Sequence, residues 1–118
     1  MSVEFVDFKT VDLKSKLDTT IGAELKLTQT GRVSAKAPEE WSGFVFLYLN
    51  IKINDPEETY FVFDITTETV VKVSDDITEL DEAVMQEGVE IAQAKTFEAI
   101  KAISIGMGIN EIDLAAQG

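Results

Sequence analysis

Cysteine and histidine are both absent from this chain of 118 residues, and those two absences exclude more function than anything present. Without cysteine there is no disulfide framework, no thiolate nucleophile and no thiolate metal site. Without histidine there is no Ser-His-Asp or Cys-His catalysis, no imidazole-held zinc and no near-neutral general base. Positive charge is also scarce. Ten Lys and Arg stand against 22 Asp and Glu, a formal net charge of -12, so phosphate backbones and anionic membranes are repelled unless a local basic patch intervenes. None does, because Lys9, Lys14, Lys16 and Lys26 are interleaved with Asp7, Asp12, Asp18 and Glu24. Nucleic acid is not an expected partner. No apolar run approaches the ~20 residues of a membrane span, and Met1-Ser2-Val3-Glu4 lacks the charged and apolar regions of a signal peptide. The expectation is a cytoplasmic protein with no membrane partner.

What is present is ordinary for a globular chain: 45% hydrophobic and 27% charged residues, in a length that suits one domain over residues 1–118. The organising stretch is Gly43 to Ser74. Phe44 to Leu49 is nearly all apolar, which predicts burial on both faces, and Asn50 to Ile53 alternates. Asn54-Asp55-Pro56-Glu57-Glu58 is a turn, with Asn and Asp competing for local backbone hydrogen bonds and Pro56 fixing φ. The chain then returns with period two: Phe61, Phe63, Ile65, Thr67, Thr69, Val71 and Val73 on one side, Tyr60, Val62, Asp64, Thr66, Glu68, Val70 and Lys72 on the other. This is a long hairpin.

Before it, Val3 to Phe8 suits a short strand near a sheet edge, with Val3 and Phe5 on one side and Val6 and Phe8 on the other. Thr10 to Ile21, with Val11, Leu13 and Leu17 among Lys and Asp, fits a continued strand, a helical turn or an ordered loop, and reads best as extended or irregular chain. A second strand starts at Ala23 and can run to Ala35, with Gly31 marking a bulge or a close backbone approach. Ala37-Pro38-Glu39-Glu40 is a turn. After the hairpin, Thr78-Glu79-Leu80-Asp81 has the form of a capping box, so a helix starts there. Val84, Met85, Gly88, Val89, Ala92, Thr96, Ala99, Ile100, Ala102 and Ile103 gather on one broad helix face, and its small residues allow close approach to a sheet. Gly106, tolerant of positive φ, is the expected stop, followed by a short extended tail through Ile109, Ile112 and Leu114. The expected class is α+β: a four-stranded antiparallel sheet followed by one long C-terminal helix packed on one face.

No catalytic constellation is visible. The acids Asp75, Asp76, Glu79, Asp81 and Glu82 lack the spaced pattern of a calcium loop and are explained by helix capping. Gly106-Met107-Gly108 has neither the lysine nor the glycine spacing of a phosphate loop. The expectation is a non-enzymatic protein with no cofactor and no metal. The aromatics point elsewhere. One helix covers one face of a sheet, and the hairpin reads as apolar on both, so the second face needs a cover. Another copy of the chain, the N-terminal segment folded back, or a client polypeptide are the three possibilities. Phe97 projects among Gln93, Glu90 and Lys101 on the polar side of the helix, and Trp41 precedes the third strand. Trp41, Phe44, Phe46, Tyr48, Tyr60 and Phe97 are therefore the candidate peptide or subunit contacts.

The order of elements, with Glu57-Glu58-Thr59 at the hairpin turn followed by Tyr60-Phe61-Val62-Phe63, resembles the SecB export-chaperone family. It is also similar to small SecB-like proteins of Gram-positive bacteria, in which a helix leads into a glycine and an Ile-Asn segment, here Gly108-Ile109-Asn110. The resemblance implies a cytoplasmic, acidic homo-oligomer, a dimer or a tetramer built from dimers, that holds unfolded polypeptides in aromatic-lined grooves without ATP. One departure is plain. SecB has a long crossover between its fourth strand and main helix that helps to line the client groove, whereas here only Asp75 to Ile77 separate Ser74 from the capping box. The alternative is a structural or assembly subunit, for example phage-derived, whose apolar faces serve only oligomerisation.

Overall fold

A computed structural model of the chain describes residues 3–18, 27–37, 40, 42–77 and 81–107. Four strands, β1 (Val3–Leu17), β2 (Thr28–Lys36), β3 (Phe44–Asn54) and β4 (Phe61–Val73), precede one helix, α1 (Glu82–Gly106). They form a single antiparallel sheet in the order β1-β4-β3-β2, so the expected hairpin β3–β4 is the centre and β1 and β2 are the edges. The hairpin is closed by Asp55. Its side chain accepts the N–H groups of Thr59 at 3.2 Å, Tyr60 at 3.0 Å and Phe61 at 2.8 Å, and the residue is 2% exposed. Burial alone would raise the Asp55 pKa, but these backbone donors more than offset it and hold the carboxyl below its ordinary value.

β1 is one strand of 15 residues, where a short strand followed by extended or irregular chain was expected. The reason is two register shifts against β4, between Phe5 and Asp7 and between Thr10 and Asp12. Each inserts one unpaired residue, Val6 and then Val11, and each flips the side-chain parity of the residues beyond it. Val3, Phe5, Phe8, Leu13 and Leu17 consequently share one face, although their numbers change from odd to even and back. Because β1 lies in the plane of the sheet beside β4, it does not fold back over the second face. β2 starts at Thr28; Ala23 to Lys26 of the expected strand lie outside the described residues. Gly31 is neither bulge nor close approach, since β2 pairs with β3 without a shift and a Cβ there would come no nearer than 3.9 Å to the Asn50 carbonyl oxygen.

The helix is capped by Asp81, whose side chain accepts the Val84 N–H at 2.9 Å. The expected box placed the cap at Thr78, which lies outside the described residues, as do Gly108 and the tail. At the other end Met107, in right-handed geometry, caps the helix by donating its N–H to the Ile103 carbonyl at 2.9 Å, so the stop does not use a left-handed Gly106. The buried seam is narrower than the predicted face. Val84, Gly88, Ala92, Thr96, Ile100 and Ser104 recur every fourth residue and are the buried residues of α1. Such a row runs at roughly 26° to the helix axis, so the helix crosses its contact line obliquely, over β4, β3 and β1. Its smallest members let it sit close: Leu47 Cδ1 is 2.9 Å from where a Cβ on Gly88 would stand. One core cluster, Leu49, Ile51, Ile53, Phe61, Phe63, Ile65 and Ile100, lies towards the hairpin turn, and a second, with Val3, Val45, Leu47, Val71, Val73, Val84 and Ala92, towards the helix start. At mid-helix the Thr67 and Thr96 hydroxyls meet at 2.7 Å.

Candidate peptide-binding surfaces

The face away from the helix is less apolar than the sequence suggests. Cross-strand partners share a face, and the register reads as rows across four strands. One row is Lys9, Glu68, Tyr48 and Ser34; the next is Asp12, Thr66, Asn50 and Arg32. Lys9 Nζ lies 3.2 Å from Glu68 Oε1, and the Tyr48 hydroxyl also bonds Glu68. These bonds depress the Glu68 pKa despite burial; in return, the bond to Glu68, then burial and the Glu68 charge, raise that of Tyr48. The Asn50 side-chain nitrogen donates to Asp64 Oδ1 at 2.7 Å, Thr66 Oγ1 at 3.0 Å and the Ile65 carbonyl at 3.1 Å. Its apolar side chains along the hairpin include Phe44, Phe46 and Val70 near the start of β3 and Val62 near the turn.

Exposed apolar surface is instead prominent on the helix side, to either flank of α1. The helix covers the central strands and leaves Phe5, Leu13 and Val33 of the outer strands 39%, 41% and 46% exposed. Over β1 a groove of about 620 Å³ is lined by Val3, Phe5, Ile91, Ala94, Lys95 and Glu98, with Lys95 Nζ 4.6 Å from the Phe5 ring centroid. Over β2 a smaller groove of about 190 Å³ is lined by Gly31, Val33, Leu49, Ile51, Gln93 and Phe97. No helix among the described residues is long and apolar enough to cross a membrane.

No family model matches the chain, and no curated protein matches it either. Solved structures do. A SecB-like chaperone of Mycobacterium tuberculosis, Rv1957, in complex with a ChAD peptide from the Rv1956 HigA1 antitoxin, superposes over 96% of this chain and 86% of its own, with a TM-score of 0.69 and 7% identity. The fold is SecB-like.

Within this SecB-like frame the six sequence candidates do not form one site. Phe44, Phe46 and Tyr48 form a column along β3 on the open face, half-buried except at Phe44, which is 36% exposed. Tyr60 lies at the turn end of the hairpin, where its carbonyl accepts the Asp18 N–H at 2.8 Å. Phe97, placed on the polar side by its projection, is half-buried against the core and walls the β2 groove. Trp41 lies outside the described residues. The residues missed are Phe5, Leu13, Val33, Ile91 and Lys95. For Phe5 and Leu13 the signal was present in β1 as apolar spacing that alternates between two and three, at Val3, Phe5, Phe8 and Leu13, with Thr10 filling the fourth place. That rhythm is what two bulges produce in a strand whose one face is kept apolar.

Proposed function

We propose that this chain is a non-enzymatic, chaperone-like protein that binds polypeptide segments on a SecB-like scaffold, working as a homo-oligomer in the cytoplasm. The observation that carries this reading is the pair of apolar grooves flanking α1. An ordinary soluble domain exposes large apolar side chains singly, whereas here they line two concave surfaces on the same side of the sheet. Phe5 and Phe97 are the aromatic anchors, and Gln93, Lys95 and Glu98 are polar groups at the rims. The peptide-bound SecB-like neighbour supports the same class of ligand. The open face, already laced with hydrogen bonds, is the less suitable client surface except at Phe44 and Phe46.

Light scattering across a concentration series, with a fluorescent apolar probe in the same samples, tests this. A dimer or tetramer that still binds the probe and suppresses aggregation of an unfolded client without ATP is the expected result, with F97A and F5A weakening suppression. An oligomer that binds no probe and protects no client would overturn it and leave the structural or assembly subunit.

A further inference from the structure

Charge is divided unequally between the two halves of the open face. On the β2–β3 half the register brings Arg32, Lys36 and Lys52 to the surface with no Asp or Glu on either strand, whereas on the β1–β4 half four lysines meet five acids. The other seven lysines of the chain share the rest of it with all 22 acids. A strip without a carboxylate is thus set into a chain of net charge -12. Lys52 is held by Glu58 of the hairpin turn, but Arg32 and Lys36 are exposed and have no ion pair among the described residues.

The strip has two parallel lines. Along β2, Arg32 and Lys36 stand four residues apart, ~13 Å at the rise of a strand. Along β3, Phe46 is opposite Lys36, with Phe44 and Tyr48 in the same column. Beside Arg32 a recess of about 390 Å³ is lined by Ser34, Asn50 and Thr66 as well. The backbone groups between the two lines are spent on the β2–β3 ladder, so a ligand of this face binds through side chains and not by adding a strand. Helices are the usual cover of a sheet face, as α1 is on the other side. Helix residues eight apart are ~12 Å apart along the axis and ~80° apart around it, which matches the step from Arg32 to Lys36. An apolar helix stripe with carboxylates on one flank at that spacing fits both lines at once.

We propose that the β2–β3 half of the open face is a docking surface for an acidic amphipathic helix of a partner protein, its apolar stripe on Phe44 and Phe46 and two of its carboxylates, eight residues apart, on Lys36 and Arg32. The grooves flanking α1 lie on the opposite side of the sheet, so this inference goes beyond the client-binding reading and does not depend on it. Nucleic acid is a poorer occupant, because its binding rests on many phosphate contacts and the strip offers two unpaired cations in an acidic surround. A second copy is poorer too. The whole open face, seven cations against five acids, repels its like, and α1 laid on it would make a head-to-tail contact that propagates without closing.

The test uses fluorescein-labelled Ala-rich peptides of about 20 residues, long enough to be helical, titrated by anisotropy. Each has a Leu stripe at helical spacing and two flanking positions, eight residues apart, set to Glu, Gln or Lys. The Glu peptide is expected to bind about tenfold tighter than the Lys peptide, the scale of two exposed ion pairs, and added salt should narrow the gap. R32E/K36E should invert the order and R32Q/K36Q should erase it, with circular dichroism confirming the fold of each and aggregation suppression unchanged. F97A, on the other side of the sheet, should leave the affinity of the Glu peptide as it is. Equal affinity for the three peptides in wild type, or an order that R32E/K36E does not invert, would overturn this inference and leave the chaperone reading standing. Loss of the Glu peptide in F97A would place it in a client groove and also overturn the inference. Salt-sensitive binding of an oligothymidine that R32E/K36E removes would assign the strip to nucleic acid, and a change of oligomeric mass in R32E/K36E without inversion would assign it to a second copy; either result overturns the proposal.

Discussion

On the helix side of the hairpin, every odd-numbered residue from Val45 to Ile53 and from Phe61 to Val73 is at most 5% exposed; on the other side, the even-numbered residues are half-buried, and Phe44 and Lys72 are exposed. The same two strands thus present two surfaces held by different means. The first is a close-packed layer in which small helix residues set the distance and a missing atom leaves a void. The second is a set of cross-strand polar rows open to water, where a lost bond is replaced by solvent. Sensitivity to substitution should therefore alternate along β4 with the same period as the side chains.

The sharpest version of that expectation uses neighbours. Ile65 is fully buried and packs in the turn-side cluster, so I65A should cost about 2–5 kcal/mol, the range for large-to-small changes in a core. Thr66 points the other way, and T66A should cost no more than about 1 kcal/mol. Urea midpoints of the two variants check the contrast; equal losses would mean that the open face is sealed in solution.

Overfilling should hurt on the helix side as well as emptying. G88V places a branched side chain against Leu47 and should cost about 1–3 kcal/mol. Trimming Leu47 to Ala in the same chain should recover part of it, a non-additivity that chemical denaturation of the two singles and the double measures.

Two buried hydroxyls on this side differ in their partners. Thr67 and Thr96 satisfy each other, so T96V should cost about 1–3 kcal/mol by orphaning Thr67, whose remaining contact is the Leu49 carbonyl at 3.5 Å, and T67V/T96V should recover most of that. The Thr69 hydroxyl is buried with no hydrogen-bond partner among the described residues, so T69V should stabilise the protein by about 1 kcal/mol. A thermal melt in which T69V unfolds earlier would show that the hydroxyl has a partner in solution.

The hairpin and helix were legible in the sequence because their periods hold: two over Phe61–Val73, and a run of small and apolar residues behind an acidic cap. The two-sidedness of β3 was not. Phe44, Phe46 and Tyr48 read as a second core, but their exposure depends on Glu68 and Lys9 arriving from other strands, and single-strand patterns carry no register. β1 failed for the opposite reason, since fixed-period reading splits a bulged strand in two. The helix projection put Phe97 on the polar side because it is measured from the mean apolar direction, whereas the contact seam follows every fourth residue and leaves room beside it over β2.

The smallest expected effect sharpens the comparison most, because the open face has a titration signature. Glu68 has a depressed folded pKa, so its contribution is present above the unfolded carboxylate value and is lost as pH falls through the folded one. Tyr48 has a raised folded pKa. Its contribution is complete below the unfolded phenol value, near ~10, and is lost as pH rises through the folded one. The row is stable between an acid limb set by Glu68 and an alkaline limb set by Tyr48. Y48F should lower stability by no more than about 1 kcal/mol at neutral pH, yet remove the Tyr48 part of the alkaline limb and weaken the acid limb, since Glu68 keeps only Lys9. E68Q should flatten both. Stability against pH, compared for wild type, Y48F and E68Q, reads this directly, and helix-side T69V should leave both limbs where they are. If Y48F left both limbs unchanged, the Lys9-Glu68-Tyr48 row would not hold the open face together, and its half-burial would need another copy or a client to account for it.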